Sequence, residues 1–277
     1  MTSSAVSPGS RCIEPLLVLN GAEEPLQLVL GRRSSPGGEY AFLHSQEWAA
    51  PGEAARYLAP SIEHALRSAG VASKDLAGVA CVRGPGGFTG LRLVLATALG
   101  LASAWSLPLA GVEYLPLLGV QAANAAHTLC PGAAGSVFAV THARHEQVYI
   151  QGFSVGKRGG EQSPSPLSKA AAMTVDRAAR IVLAGAAPRF VCGSGLRRNR
   201  AFFEAVWAGE AIMLGAGFER PRPETLLVAA AGASYAQASV EPLYLRPSDA
   251  EANLQDIASK AGLDAGRMAE RLAALTS

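Results

Sequence analysis

The sequence predicts an α/β protein with two lobes, and three observations carry that expectation. Short apolar runs alternate with helix-patterned stretches along most of the chain. Each half opens with a pair of strand-like runs and continues as strand–helix units. In each half a glycine-containing turn, at 84–87 and at 193–195, ends a strand and opens a helix. The expected divisions are a first lobe over 1–126, a second over 127–247 and a helical extension over 248–277.

The elements follow in order. Residues 16–20 and 26–30 are apolar runs around the turn-like Gly21-Ala22-Glu23-Glu24-Pro25, which predicts two antiparallel strands. A third strand is expected at 40–48. Residues 52–69 have a helical pattern that stops at Gly70, with Pro60 expected to kink it or mark a restart. A buried strand at 76–82 runs into the glycine turn, and a helix is expected from about 91 to 105. A strand at 109–112 and a helix through 126 complete the first lobe. The second lobe reads as strands at 136–141 and 147–153 around a polar turn. A flexible stretch at 156–169, a helix at 175–184 and a strand at 189–192 follow. Helices near 197–207, 223–237 and 264–275 close the chain.

Composition limits the function. With 49% apolar residues in 277, the chain can bury a sizeable core. A net charge of +2, from 24 basic and 22 acidic residues, argues against a broad surface for gripping phosphates. Cys12, Cys81, Cys130 and Cys192 lie far apart and match neither a redox pair nor a zinc ribbon; reduced thiols fit a cytosolic protein. The first ten residues lack the basic start and apolar run of a signal peptide. An uncharged run at 93–112 is long enough to span a bilayer, but it contains Thr97, Gly100, Ser103, Ser106 and Pro108. It reads as helix, turn and strand, so no membrane association is expected and the location is cytoplasmic.

The most informative string is Arg83-Gly84-Pro85-Gly86-Gly87-Phe88-Thr89-Gly90-Leu91-Arg92. Its glycines permit positive φ, its proline fixes one turn angle, and Thr89 is suited to cap the following helix. The helix N-terminus is either an anion site or simply a tight strand-to-helix turn. The helix itself has almost no polar face: Leu91, Leu93, Val94, Leu95, Leu99 and Leu101 surround it. Ala96, Gly100 and Ala104 recur every fourth residue, a small-residue stripe that lets another helix approach closely. Such a helix requires cover on more than one side, from its own domain or from another chain.

This string, with the small-residue helix and the Pro108-Leu109-Ala110-Gly111-Val112 strand, resembles the hallmark of the TsaB (YeaZ) family. His142-Ala143-Arg144 through Tyr149 resembles that family's DAR…VY segment, Val191 to Gly195 its GxG turn, and Pro242 to Arg246 its PxYLR close. The resemblance implies the two-lobed sugar-kinase/actin/Hsp70 (ASKHA) fold with ribonuclease H-like lobes. It also implies a supporting role in threonylcarbamoyl modification of the tRNA adenosine next to the anticodon. In that family the chemistry belongs to the paralogue TsaD, which TsaB meets through first-lobe helices; the ATPase TsaE joins them, and tRNA is met through the complex. Self-association through the same helices is the alternative pairing. Carried to this chain, the interface comprises Ala55, Leu58, Ile62, Leu66, Phe88, Leu93, Ala96, Thr97, Gly100 and Ala104. The turn residues Arg83, Gly84, Pro85, Gly86, Gly87, Thr89, Gly90 and Arg92, with Gly193 and Gly195, are candidates for nucleotide or tRNA contact, or for contacts within the chain. No catalytic residue, metal ligand or cofactor is assigned to the chain alone; ATP and magnesium belong to the assembled complex.

The departures from the family pattern bear on chemistry. Where active relatives carry an acid after the first strand, this chain has Asn20-Gly21-Ala22, which lacks the anionic oxygen that magnesium favours. His142 stands in place of the family aspartate. His142, His145 and Glu146 on one turn do not make a metal site without further ligands. Ala54 stands where active relatives have a metal-binding histidine, and His64 reads as a helix-surface residue. The second reading is an ATP-binding kinase-like member of the same superfamily, with Gly86-Gly87 and Gly193-Ser194-Gly195 as phosphate turns. A peptidase finds no Ser-His-Asp, His-x-x-x-His or Cys-His pattern to support it.

Overall fold

In the computed structural model, which describes residues 15–33, 40–49, 52–156, 164–235 and 239–246, strand β1 (Leu16–Asn20) is buried along its whole length. It is the middle strand of its sheet, which explains why its sequence is apolar on both faces rather than alternating. β2 (Leu26–Arg33) pairs antiparallel with it, Leu17 opposite Leu30 and Asn20 opposite Gln27. β3 (Tyr40–Trp48) extends the hairpin. β4 (Gly78–Gly84) pairs parallel on the other side of β1, and β5 (Leu109–Glu113) lies parallel beyond it. The order is β3-β2-β1-β4-β5.

The second sheet repeats this plan. β6 (Gly135–Arg144) and β7 (Gln147–Val155) form a hairpin whose turn holds His145 at φ 44°. β8 (Ser165–Pro166) and β9 (Ala171–Thr174) both pair with β7, while β10 (Arg189–Cys192) and β11 (Ile212–Met213) continue in parallel beyond β6. With β8 and β9 counted as one position, the strand order is that of the first sheet. The similar order of elements in the two halves of the sequence predicted this repetition, and the shared strand order agrees with the ribonuclease H-like lobes that the family resemblance implies.

Helices cover both faces. α1 (Ala54–Ser68) and α2 (Phe88–Trp105) close one face of the first sheet, where Leu58, Ile62, Ala65, Val94 and Ala98 join Leu17, Leu19 and Leu28 in one core. α3 (Tyr114–Leu129) contacts strands of both sheets: it lies along β6, β7 and β10 and also touches β4. Gly119 of α3 fits against the Phe153 ring of β7, where a Cβ would come within 2.6 Å. In the second lobe α4 (Val175–Ala184), α5 (Ser194–Arg198) and α6 (Arg200–Trp207) follow. Phe203 and Trp207 stack at 4.3 Å in that core, and the indole N–H of Trp207 donates to the Ala179 carbonyl at 3.2 Å. α7 (Pro223–Ala231) returns to the first sheet, so part of the segment 127–247 packs with the first lobe; Gly31 of β2 lies against Leu227. Both sheets belong to one compact unit that ends at Leu243, and a second unit begins at Tyr244.

Several boundaries differ from the expected ones for local reasons. α1 runs through Pro60 without a restart; Pro60 is exposed, so water can serve the carbonyl that its missing N–H leaves unbonded. α2 begins at Phe88 with Gly87 as its N-cap, so exposed Thr89 lies inside the first turn and does not cap it. The helix expected at 197–207 is two helices, starting earlier at Ser194 and breaking at Asn199, whose side chain donates to the Gly195 carbonyl at 2.9 Å. α7 stops at Ala231, where the Gly232 N–H bonds carbonyls of the last turn. The helix expected at 264–275 lies outside the described residues, as do Cys12 and part of the 156–169 stretch. The uncharged run 93–112 divides into the end of α2, a turn and β5. Among the described residues α2 alone has the length and hydropathy of a membrane span, and its buried line, Leu91, Val94, Ala98 and Ala102, packs on its own sheet.

Thr174 caps α4 by accepting a hydrogen bond from the Arg177 N–H. Thr174→Ala is expected to cost about 1 kcal/mol, read as a shifted urea midpoint at unchanged slope.

Candidate functional site: an inter-sheet cleft and an open helix face

The parallel strands β1 and β4, and β6 and β10, all end toward one cleft, the place where open α/β sheets offer loop residues to ligands. The cleft has a volume of 490 Å³, and its walls include Glu23, Glu24, His142, Ser194, Arg197 and Arg220.

Asn20 ends β1 and is 2% exposed. Its amide donates to Gln27 Oε1 at 2.6 Å, and its Oδ1 accepts the Ala22 N–H at 3.0 Å. Gln27 donates in turn to Glu47 at 2.6 Å and to the Pro221 carbonyl at 2.8 Å. The end of β1 therefore holds a neutral amide, bonded through both its nitrogen and its oxygen. A carboxylate there would lose the bond to Gln27 Oε1, since it has no proton to donate.

The glycine turn is filled by the chain's own backbone. The Gly87 N–H donates to the Ala22 carbonyl at 2.7 Å, and a Cβ on Gly86 would be driven into that same peptide. Gly90 and Gly21 pack backbone to backbone; a Cβ on Gly21 would lie 2.5 Å from the Gly90 carbonyl oxygen. Gly84, at φ 120°, passes close to the Leu243 carbonyl, while Pro85 is buried beside it. The motif thus clamps the 21–25 loop. Gly193, at φ 105°, and Gly195 do the corresponding job in the second lobe, bringing the start of α5 against the Val140 backbone of β6. Arg83 pairs with Glu113 at 2.5 Å and reaches the Glu241 carbonyl, a contact within the chain. Arg92 stacks its guanidinium 3.7 Å from the Phe88 ring centroid, one turn back on α2.

Glu23, Ser194 and Tyr114 join what the sequence keeps apart. The clamped loop directs the Glu23 carboxyl into the cleft, where it accepts hydrogen bonds from the Ser194 hydroxyl and, at 2.9 Å, from the Tyr114 hydroxyl. Ser194 Oγ also accepts the His142 N–H at 3.0 Å. Burial pushes the Glu23 carboxyl up to about 7, against the two hydroxyl donors, with nearby Glu219 adding to the rise and Arg197 opposing it. Burial also raises Tyr114 well above its ordinary value and pushes Cys81 and Cys192 up to about 12, so these thiols stay protonated and act as core. Two of the arginines around the cleft have acidic partners: Arg197 with Glu219 at 2.9 Å and Arg220 with Glu47 at 3.5 Å. None of this was legible locally, because Glu23 and Ser194 are 171 positions apart and each reads as an ordinary turn residue. Among the described residues no cluster of three His, Cys, Asp or Glu is placed to hold a metal, and His64 is exposed, edge-on to His44.

The second feature is the outer face of α2. Four of its residues are buried, whereas α3, of similar length, buries nine. Ala96, Gly100 and Ala104 are exposed together with Leu99 at 40%, and a Cβ on Gly100 would meet open space. Ala55 is exposed on α1; Phe88, Leu93 and Thr97 are half-buried. Leu58, Ile62 and Leu66, expected at a partner surface, belong instead to the core. α1 is strongly amphipathic and turns these three onto β2, β3 and α2. An apolar groove of 370 Å³ between the two helices has Ile62 and Leu66 at one wall and Thr97, Leu101 and Trp105 at the other.

Two sheets of equal strand order, both contacted by α3 and meeting at a cleft, define an α/β fold of the sugar-kinase/actin/Hsp70 type. Residues 50–246 match the family described as TsaD: tRNA N6-adenosine threonylcarbamoyltransferase, and the chain belongs to that family. Among solved structures it is similar to a Pseudomonas aeruginosa protein described as uncharacterised with similarity to peptidase YeaZ, at 24% identity and TM-score 0.62. It is likewise similar to YeaZ from Pseudomonas aeruginosa, at 24% identity and TM-score 0.60. Each alignment covers 84% of this chain and 100% of the other. Comparison with curated protein sequences gave no match. The family match and the shared fold bear out the family read from the GPGGFTGLR string, and they relate the chain to tRNA modification.

Proposed function

We propose that the chain is a TsaB-type accessory protein, a non-catalytic support for a TsaD-type enzyme that places threonylcarbamoyl on the tRNA adenosine next to the anticodon. The observation that carries this reading is the open, small-residue face of α2: Ala96, Gly100 and Ala104 with exposed Leu99 beside them. A helix this apolar gains by exchanging water for a partner helix, and its small residues permit close approach. Satisfied Asn20, and a glycine turn filled by the Ala22 peptide, support a role without phosphoryl transfer. A TsaE-type ATPase joins the pair, tRNA is met through the assembled complex, and any ATP and magnesium belong to that complex. The setting is the cytosol.

The test is copurification of the tagged chain from its own host. A TsaD-type paralogue at a one-to-one ratio is the expected result; a homodimer that excludes it would transfer the α2 face to self-association. The second reading, an ATP-binding kinase-like protein, draws on the cleft at the strand ends. Calorimetry with ATP and magnesium separates the two: no heat of binding below millimolar concentrations is expected, whereas tight binding with hydrolysis establishes the kinase.

A further inference from the structure

The mouth of the cleft is bridged by a carboxyl group that reaches from a loop of the first sheet to a turn of the second. Glu23 projects from the 21–25 loop, which the Gly86-Gly87 turn holds by backbone contact. Its two oxygens meet Ser194 at the start of α5 and Tyr114 at the head of α3. The far side of this bridge is itself fixed, because Gly193 and Gly195 seat the turn against Val140 and Ser194 Oγ takes the His142 N–H. Two rigid supports therefore face each other across one titratable side chain.

We propose that Glu23 is a proton-operated latch across the cleft, holding the 21–25 loop to the Ser194 turn when its carboxyl is neutral and loosening it when ionised. Both protonation states can keep two hydrogen bonds. The ionised form accepts from both hydroxyls; the neutral form accepts from Tyr114 and donates to the free lone pair of Ser194 Oγ. What ionisation adds is a charge on a half-buried carboxyl, which the closed contacts keep from full hydration. The charged and titratable groups around it are Glu24 on its own loop, His142 at the end of β6, Arg197 and Arg198 on α5, and Glu219 and Arg220 after β11. Arg197 is turned to Glu219 and Arg220 to Glu47, which leaves burial as the dominant influence on Glu23.

The sign follows from linkage. The closed carboxyl titrates near 7, and the released, hydrated one near its ordinary 4.5. The closed form binds the proton more tightly, so closure is strongest below pH 4.5. Opening grows as pH rises through the interval between the two values, by roughly 300-fold at most, and levels off above 7. The latch acts on the chain itself and is independent of whether α2 meets a TsaD-type partner.

Amide hydrogen exchange on the full chain, corrected for the intrinsic effect of pH, tests it. Between about pH 5 and pH 7.5, the opening constant of segments 20–25 and 193–198 should rise at least tenfold in the native chain and less than twofold in Glu23→Gln. A flat response in the native chain, an equal response in Glu23→Gln, or a parallel response of the reference strand at 137–140 overturns the proposal. Should Glu23→Gln fail to fold, a carbon-13 titration of labelled glutamate in the native chain, set beside the exchange data, decides: a Glu23 midpoint that coincides with the pH-dependent opening of 20–25 and 193–198 upholds the latch, and a midpoint near 4.5 or one without accompanying opening removes it.

Discussion

Gly100→Glu is expected to lower affinity for a TsaD-type partner at least 100-fold while leaving a folded monomer. The position is exposed, and a side chain built there meets open space, so the fold has no clash to relieve. In a helix–helix contact the same carboxylate would be stripped of water with no cation to meet it, which costs about 3–5 kcal/mol. Ala96→Arg, one turn earlier on the exposed stripe, should act in the same way. The measurement is a pull-down or titration against the partner, with circular dichroism to verify the monomer. Unchanged binding by both folded variants would place the interface elsewhere. A contact of biological strength here should bury roughly 1,200 Å² or more.

Gly86→Ala is expected to destabilise the chain by about 3 kcal/mol, a fall in Tm of roughly 6–12 °C. The added methyl enters the Ala22 peptide, where backbone on both sides leaves no flexible end to move aside. Relief requires the turn and the 21–25 loop to separate, which also breaks the Gly87 to Ala22 hydrogen bond. Gly100→Ala is the matched control: an exposed glycine inside a helix with space around it should gain up to about 1 kcal/mol. Equal melting temperatures for the two variants would show that the turn is not a clamp. The contrast separates two kinds of glycine in one motif-bearing segment, one kept for backbone packing and the other free for an approaching surface.

Much of the architecture was legible because its signals are local. The bounds of β3, α4 and β10 match those read from periodicity and flanking turn residues. The two-lobed plan followed from the repeated order of strand pairs and strand–helix units. Boundaries that depend on tertiary partners were less legible. Thr89 has the chemistry of a cap, yet Gly87 occupies that position, because the turn must first fit the Ala22 peptide. Leu58, Ile62 and Leu66 were placed at a partner surface by the family resemblance, which names the helix but does not tell which of its faces the sheet takes.

The sequence by itself determined the α/β class, the family and the apolar excess of α2, since composition and ordered motifs are properties of neighbouring residues. Only the tertiary structure decided what the glycine turn does and where the half-buried acid sits. Ala22 meets Gly86 and Glu23 meets Ser194 across the packing of whole sheets. The reason is physical: a carboxyl group's charge and a turn's open face depend on what excludes water from them, and distant segments supply that cover.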